Sequence, residues 1–393
     1  MSQIPGIKIS ELIAEAIKLR KTLHRYPEVS GQERQTAGWI KAFLEKYRPD
    51  QVIEGIGGHS MAAIFDSQKE GPTLMLRADM DALPILEVND FPHKSQYDGV
   101  SHKCGHDGHS AILAAISAVV AKNRPSKGRL VLLFQAEEET GQGAEKVIKD
   151  PKFQDIKPDF IFSLHNLPGF KKHTVIIKEK AFASASKGVI IKLQGRSSHA
   201  AHPEKGNSPG PMLPELIDGL LKIPKSKTDF QDFTLITVIH VHMGEVAFGT
   251  NPGDGVVMAT LRSYRNIDMQ TLTEKVEQHV RTLAAKYKID ADISYAEVFP
   301  ATHNNTWCCE VIEQAATAGN LTLYPINLPF RWSEDFGHFT LNYPGALFGI
   351  GAGRNYPSLH QGDYDFPDEI IKTGVMMFYH IADQILNLSN KDV

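Results

Sequence analysis

The sequence is short of cysteine, of charge of one sign and of long apolar runs, and each shortage excludes a class of protein. Three cysteines in 393 residues cannot build a disulfide framework, and an odd count points to reduced thiols. Acidic side chains number 46 and basic ones 42, a net charge of -4, which offers no basic surface to nucleic acid and no tail of one sign. The longest apolar stretch, Ala111 to Ala121, is interrupted by Ser117 and is too short to span a bilayer. The opening MSQIPGIKIS has one lysine and no apolar core, so no signal peptide is expected. What is present is ordinary for a globular chain: 42% hydrophobic and 22% charged residues suffice for a sizeable core and exclude global disorder. A cytoplasmic α/β protein with no nucleic-acid or membrane partner is expected, long enough for two domains.

The first half alternates helical and strand patterns. Leu12, Ile13, Ala16, Ile17 and Leu23 recur at helical spacing, and short apolar runs follow at 61–65, 73–76, 130–134 and 160–164. Between them, 110–122 reads as a buried helix. Strands separated by helices imply a sheet layered between helices. From about Lys187 the order becomes strand, helix, strand, strand, helix, strand, the split βαββαβ pattern. After Tyr295 the first character returns, with an apolar strand at 345–349 and a closing helix at 367–387. Residues 187–295 are therefore expected to form an insert in a larger domain built from 1–186 and 296–393.

Seventeen histidines are the unusual count, and three lie in His102-Lys103-Cys104-Gly105-His106-Asp107-Gly108-His109. Cys104 and His106 flank one glycine, so a loop there can direct thiolate and imidazole at one ion, a pairing suited to zinc-like metals. A polar turn before a helix is the plain alternative. Glu137-Glu138-Glu139 follows the strand-like LVLLFQA. Such a run is either a solvated helix start or a ligand beside a proton acceptor, since the ends of buried strands gather site residues in open α/β sheets. His165 ends another apolar run, and His360 stands far down the chain.

Eight ordered blocks, LHRYPE (23–28), LRADMDALP (76–84), HKCGHDGH (102–109), FQAEEETGQGA (134–144), SLHNLPG (163–169), SSHAAHP (197–203), RWSEDF (331–336) and SLHQGDYDF (358–366), span nearly the whole chain. Together they resemble the cysteine-ligand branch of the M20 metallopeptidase and amidohydrolase family, which includes hippurate, N-acyl-amino-acid and auxin-conjugate hydrolases. The resemblance implies an α/β fold: a metallohydrolase catalytic domain, with a central mixed sheet flanked by helices, and an inserted ferredoxin-like lid or dimerisation domain. It implies metal ligands at Cys104, His106, Glu139, His165 and His360 for one or two divalent ions (Zn, Mn, Co or Ni), with Glu138 as general base. Relatives carry Phe-Gln-Pro-Ala-Glu-Glu, so Ala136 and Glu137 occupy the Pro-Ala positions, and this register keeps Gly141, Gly143 and Ala144 at their family offsets.

Asp79-Met80-Asp81 stands where peptidase relatives carry His-x-Asp. That ligand histidine is absent, and Asp81 is expected to orient a ligand through a hydrogen bond. His199 becomes a donor to the substrate carbonyl oxygen, with room for a homodimer through the insert. The segment 248–255 departs from the family's Asn-x-Ile-Pro-Asp, and Asn251 could replace its contact. Arg331, Arg262 and Asn251 are candidates to hold a substrate carboxylate. The implied reaction is hydrolysis of the amide of a small N-acyl amino acid by a metal-bound water. The alternatives are a dipeptidase or aminopeptidase, and a non-catalytic metal-binding protein of the same fold.

Overall fold

Apolar runs such as Leu130–Phe134 leave a strand no polar face. The computed structural model, which describes residues 4–226 and 228–390, buries such strands on both sides. Helices α1 (Ile9–Arg25) and α2 (Arg34–Glu45) precede strands β1 (Gln51–Ile56), β2 (Ser60–Asp66) and β3 (Thr73–Asp79). Helix α3 (His106–Lys122), strand β4 (Arg129–Gln135), helix α4 (Gly143–Lys149) and strands β5 (Phe160–Pro168) and β6 (Val175–Ile177) follow. The middle of the chain runs β7 (Ala185–Gln194), α5 (Leu213–Lys222), β8 (Thr234–Met243), β9 (Asp254–Ser263), α6 (Asn266–Tyr287) and β10 (Asp290–Phe299). The last part carries α7 (Thr306–Ala318), β11 (Leu323–Pro325), α8 (Gly337–Asn342), β12 (Gly345–Gly353) and α9 (Ile371–Leu386).

The chain divides into two compact units, Met1–Phe182 with Thr302–Leu328 and Asp335–Val393, and Ala183–Ala301 with Pro329–Glu334. The first holds an eight-stranded mixed sheet in the order β1-β2-β4-β3-β5-β12-β6-β11. Its centre, β4-β3-β5-β12, is parallel, and β3 is buried along its whole length, as parallel strands covered on both faces must be. Helix α3 is apolar on nearly every side; its residues from His106 to Val120 are all buried, and it packs against α1, α9 and β3. Because β3, β4 and β5 run the same way, their C-terminal ends place Asp79, Gln135 and His165 along one edge, where open α/β sheets assemble their sites.

The second unit is a four-stranded antiparallel sheet in the order β8-β9-β7-β10. Strand β9 alternates between buried and partly exposed residues, and its covered face meets α5 through Leu216 and Leu220 and α6 through Leu272, Val276 and Val280. The unit is wider than the 187–295 segment read from the pattern. Strand β7 starts at Ala185, where Ala185 pairs with Ser263. Just before it, the Ser184 N–H donates to Trp332 O (3.0 Å) and its hydroxyl to Phe330 O (2.7 Å), which draws 329–334 into the unit. No helix of the described residues is long and apolar enough to cross a membrane.

Candidate metal centre

The loop before α3 turns sharply at Gly105, whose φ of +95° lies in the left-handed region. A Cβ there would come within 2.6 Å of Asn166 Oδ1, so glycine is required both for the turn and for the close approach. The turn sets Cys104 and His106 on either side of it, facing the end of β5. Cys104 Sγ lies 3.5 Å from His165 Nε2. The Nδ1–H of His165 donates to Asn166 O (2.8 Å), which leaves the Nε2 lone pair directed at the thiol.

His106 repeats the pattern. Its Nδ1 lies 3.0 Å from Asp81 O and 3.2 Å from Asp81 Oδ1. Its buried Nε2 has no hydrogen-bond partner, yet faces Asp79 Oδ1 at 3.8 Å, Glu138 Oε2 at 3.9 Å and Glu139 Oε1 at 3.8 Å. Glu139 Oε1 is likewise buried without a hydrogen bond and lies 3.7 Å from His360 Nε2. Three groups, Cys104-His106-His165, Cys104-Glu139-His360 and His106-Glu138-Glu139, each keep their ligand atoms within 4.8 Å. Ligands ~2.0–2.3 Å from one ion are themselves about 3–4 Å apart. Buried thiol, imidazole and carboxylate groups at that spacing, with His106 Nε2 and Glu139 Oε1 left without a hydrogen bond, fit a divalent transition metal.

The three glutamates do not start a helix. They occupy a turn between β4 and α4, with Glu137 at φ +59° and Gly141 at φ +69°. Glu137 points away from the donors and pairs with Lys146 (2.5 Å), while its N–H is held by Glu33 Oε1 (2.8 Å). Glu138 is buried, and its Oε1 accepts the Asp335 N–H at 3.1 Å. The Glu139 N–H donates to Asp81 Oδ2 (3.0 Å), which also accepts the Ser30 hydroxyl (2.7 Å). Asp81 thus braces both His106 and the glutamate turn. Burial pushes the Glu139 carboxyl up to about 7 against the pull of His106. At His106 burial opposes the imidazolium, but Asp79 and Asp81 outweigh it and raise the pKa well above the ordinary value.

Around these groups lies a layer of pairs that sequence reading did not single out. Asp79 accepts from His109 Nδ1 (2.6 Å) and Arg77 Nη1 (2.7 Å), and the other His109 nitrogen meets the Asn166 side chain. Beneath α3, Arg20 contacts Asp107 (3.3 Å), Asp365 (2.7 Å) and Asp368 (2.8 Å), and His24 bridges Asp107 and Glu87, both at 2.9 Å. Their sequence signal is membership of the blocks LHRYPE, LRADMDALP, HKCGHDGH, SLHNLPG and SLHQGDYDF, and Arg20, Glu87 and Asp368 lie in none of them.

The structure brings Asp81, Cys104, His106, Glu138, Glu139, His165 and His360 together in the first unit. In the second unit, His199 pairs with Thr250 and Ser198 with Asn251, whose side chain donates to Ser198 Oγ (3.2 Å). Arg262 donates to Arg331 O (2.8 Å) and Ser333 Oγ (3.2 Å), and the Arg331 guanidinium lies over the Phe233 ring at 4.8 Å.

A family model described as Peptidase family M20/M25/M40 matches residues 75–384. An uncharacterized hydrolase of Staphylococcus aureus strain USA300 is 31% identical over 381 residues, which cover 92% of this chain and 95% of the relative. Among solved structures, a candidate aminohydrolase of methicillin-resistant Staphylococcus aureus shares the fold at a TM-score of 0.87 and 22% identity, over 96% of this chain and 98% of that one. A Bacillus subtilis protein described as a dinuclear metal binding peptidase of the M20 family gives 0.81 and 22%, over 96% and 99%. These likenesses bear out the mixed-sheet α/β fold.

Proposed function

The chain belongs to peptidase family M20/M25/M40 and is a metal-dependent hydrolase of amide bonds, and from that premise we propose that its substrates are N-acyl amino acids. The observation that supports the metal-dependent chemistry is the His106 side chain. One nitrogen is fixed by Asp81, while the other is buried, unpartnered and turned toward Glu138 and Glu139. We assign Cys104, His106, Glu139, His165 and His360 as ligands, and the sharing of Cys104 by two donor groups supports room for two ions (Zn, Mn, Co or Ni). A divalent ion held by these residues would polarise the substrate carbonyl and lower the pKa of water. Glu138 accepts the proton of the attacking water and passes it to the departing amine. Asp81 holds the His106 ring and the Glu139 main chain in place. We retain His199 as the donor to the carbonyl oxygen, and Asn251, Arg262 and Arg331 as partners for the substrate carboxylate.

Two further parts of the reading have their own support. Ile239 and Val241 are exposed on the edge strand β8, and Val246 and Phe248 in the turn after it are 96% and 99% exposed, which favours a homodimer through this unit. All three cysteines are free and buried, in keeping with a reducing, cytoplasmic setting.

A panel of N-acetyl and N-benzoyl amino acids beside dipeptides, each with Mn, Zn, Co or Ni added, tests the substrate class. The expected result is a kcat/KM at least about tenfold higher for N-acyl amino acids, a difference of roughly 1.4 kcal/mol in transition-state binding. The reverse ratio would make the protein a peptidase. Metal uptake without turnover of either class would overturn both substrate readings.

A further inference from the structure

Arg77 is a cation only 1% exposed, and a guanidinium in that position is tolerated only when its N–H groups are paired. Its Nη1 donates to Asp79 Oδ2 (2.7 Å), its Nη2 to Asp335 Oδ1 (2.7 Å) and its Nε to Gln135 Oε1 (2.8 Å). Gln135 closes the ring by donating to Asp335 Oδ2 (2.6 Å), and the Ala144 N–H donates to the same oxygen (2.8 Å). The main-chain N–H of Asp335 in turn holds Glu138 Oε1 (3.1 Å). One side chain on β3 therefore ties together the end of β4, the start of α4 and the segment before α8.

We propose that Arg77 is a positioning residue for Glu138, acting through Asp335. This rests on the reading of Glu138 as the proton acceptor. The need for it follows from the turn. Glu138 is flanked by carboxylates on an irregular segment, where no helix or strand fixes its direction. The Asp335 N–H anchors one oxygen, which leaves Oε2 on the side of His106 Nε2 at 3.9 Å. Asp335 stays where it is because three donors converge on its carboxylate, two of them organised by the planar fork of Arg77. A lysine is a point charge and cannot reach Asp79, Asp335 and Gln135 in that geometry. Misplacement of a reacting group by about 1 Å costs on the order of a hundredfold in rate.

The test is a double-mutant cycle on the metal-loaded full chain, with bound metal measured for every variant. Arg77→Lys is expected to lower kcat roughly 30- to 100-fold, with KM within about threefold and metal content unchanged. In the Glu138→Gln background the same change should lower the residual rate by less than about threefold, because the group it positions is gone. Multiplicative effects, a change carried mainly by KM, or loss of metal from Arg77→Lys would overturn the proposal. Should that variant fail to fold, Asp335→Asn carries the same expectations, since its amide N–H2 would face the donors of Gln135 or Ala144. A Glu138→Gln enzyme of normal kcat would instead refute the base assignment itself, an outcome distinct from multiplicativity.

Discussion

The two units bury their sheets in opposite ways. In the first, β3 and most of β12 are closed off on both faces, so any polar group at a strand end has lost water and must be paired. That requirement gathers Asp79, Arg77, His106, His109 and Asp81 into one connected set. In the second, β9 alternates and most of β8 is open; its buried polar groups, such as Ser263 and Asp268, are held by the main chain, and no comparable set arises among the described residues. Dense buried charge marks the unit that can hold an ion, and open apolar surface marks the unit that can meet a partner.

Core truncation should separate the units most strongly. Phe134→Ala, at a fully buried position of β4, is expected to cost about 3–5 kcal/mol, whereas Val241→Ala, 43% exposed on β8, should cost less than about 1 kcal/mol. Similar losses in denaturant titrations would break the comparison.

A pH effect confined to the first unit would sharpen it. Burial opposes the His24 imidazolium, but hydrogen bonds to Asp107 and Glu87 outweigh it and raise its pKa from 6.5 to about 9. A folded pKa above the unfolded one contributes stability in full below pH 6.5, and that contribution is lost as pH rises through 9. It amounts to about 3 kcal/mol. Unfolding midpoints should therefore fall between pH 6.5 and 9, and His24→Gln should flatten that slope. A slope unchanged in the variant would remove His24 from the account.

The smallest expected effect lies at the open edge. Ile239→Lys should change stability by less than about 0.5 kcal/mol while shifting the chain toward monomer in sedimentation. Unaltered association would place the contact elsewhere.

The sequence was most legible where one physical rule governs a run of residues. Continuous apolar runs announced the buried parallel strands, and the βαββαβ order announced the second sheet. The ligand candidates came from the ordered blocks and the family they resemble, and the structure sets those side chains near one another. Pairing partners were not. Spacing cannot distinguish buried Arg20 and Arg77 from surface arginines, because their partners Asp365 and Asp335 lie 345 and 258 positions away. Nor could composition separate the histidines of HKCGHDGH. His106 faces the donors and His109 holds Asp79, while His102 is buried with neither ring nitrogen partnered. The three glutamates read equally well as a helix start until the left-handed backbone at Glu137 turned each one a different way.

The central claim divides the work of two adjacent carboxylates, and rates with metal content on Glu138→Gln and Glu139→Gln test it most directly. The account predicts that Glu138→Gln keeps its metal and loses roughly 100- to 10,000-fold in kcat, since an amide cannot accept the proton of water. Glu139→Gln should lose metal first and activity with it. Metal lost from the Glu138 variant and retained by the Glu139 variant would contradict the assignment.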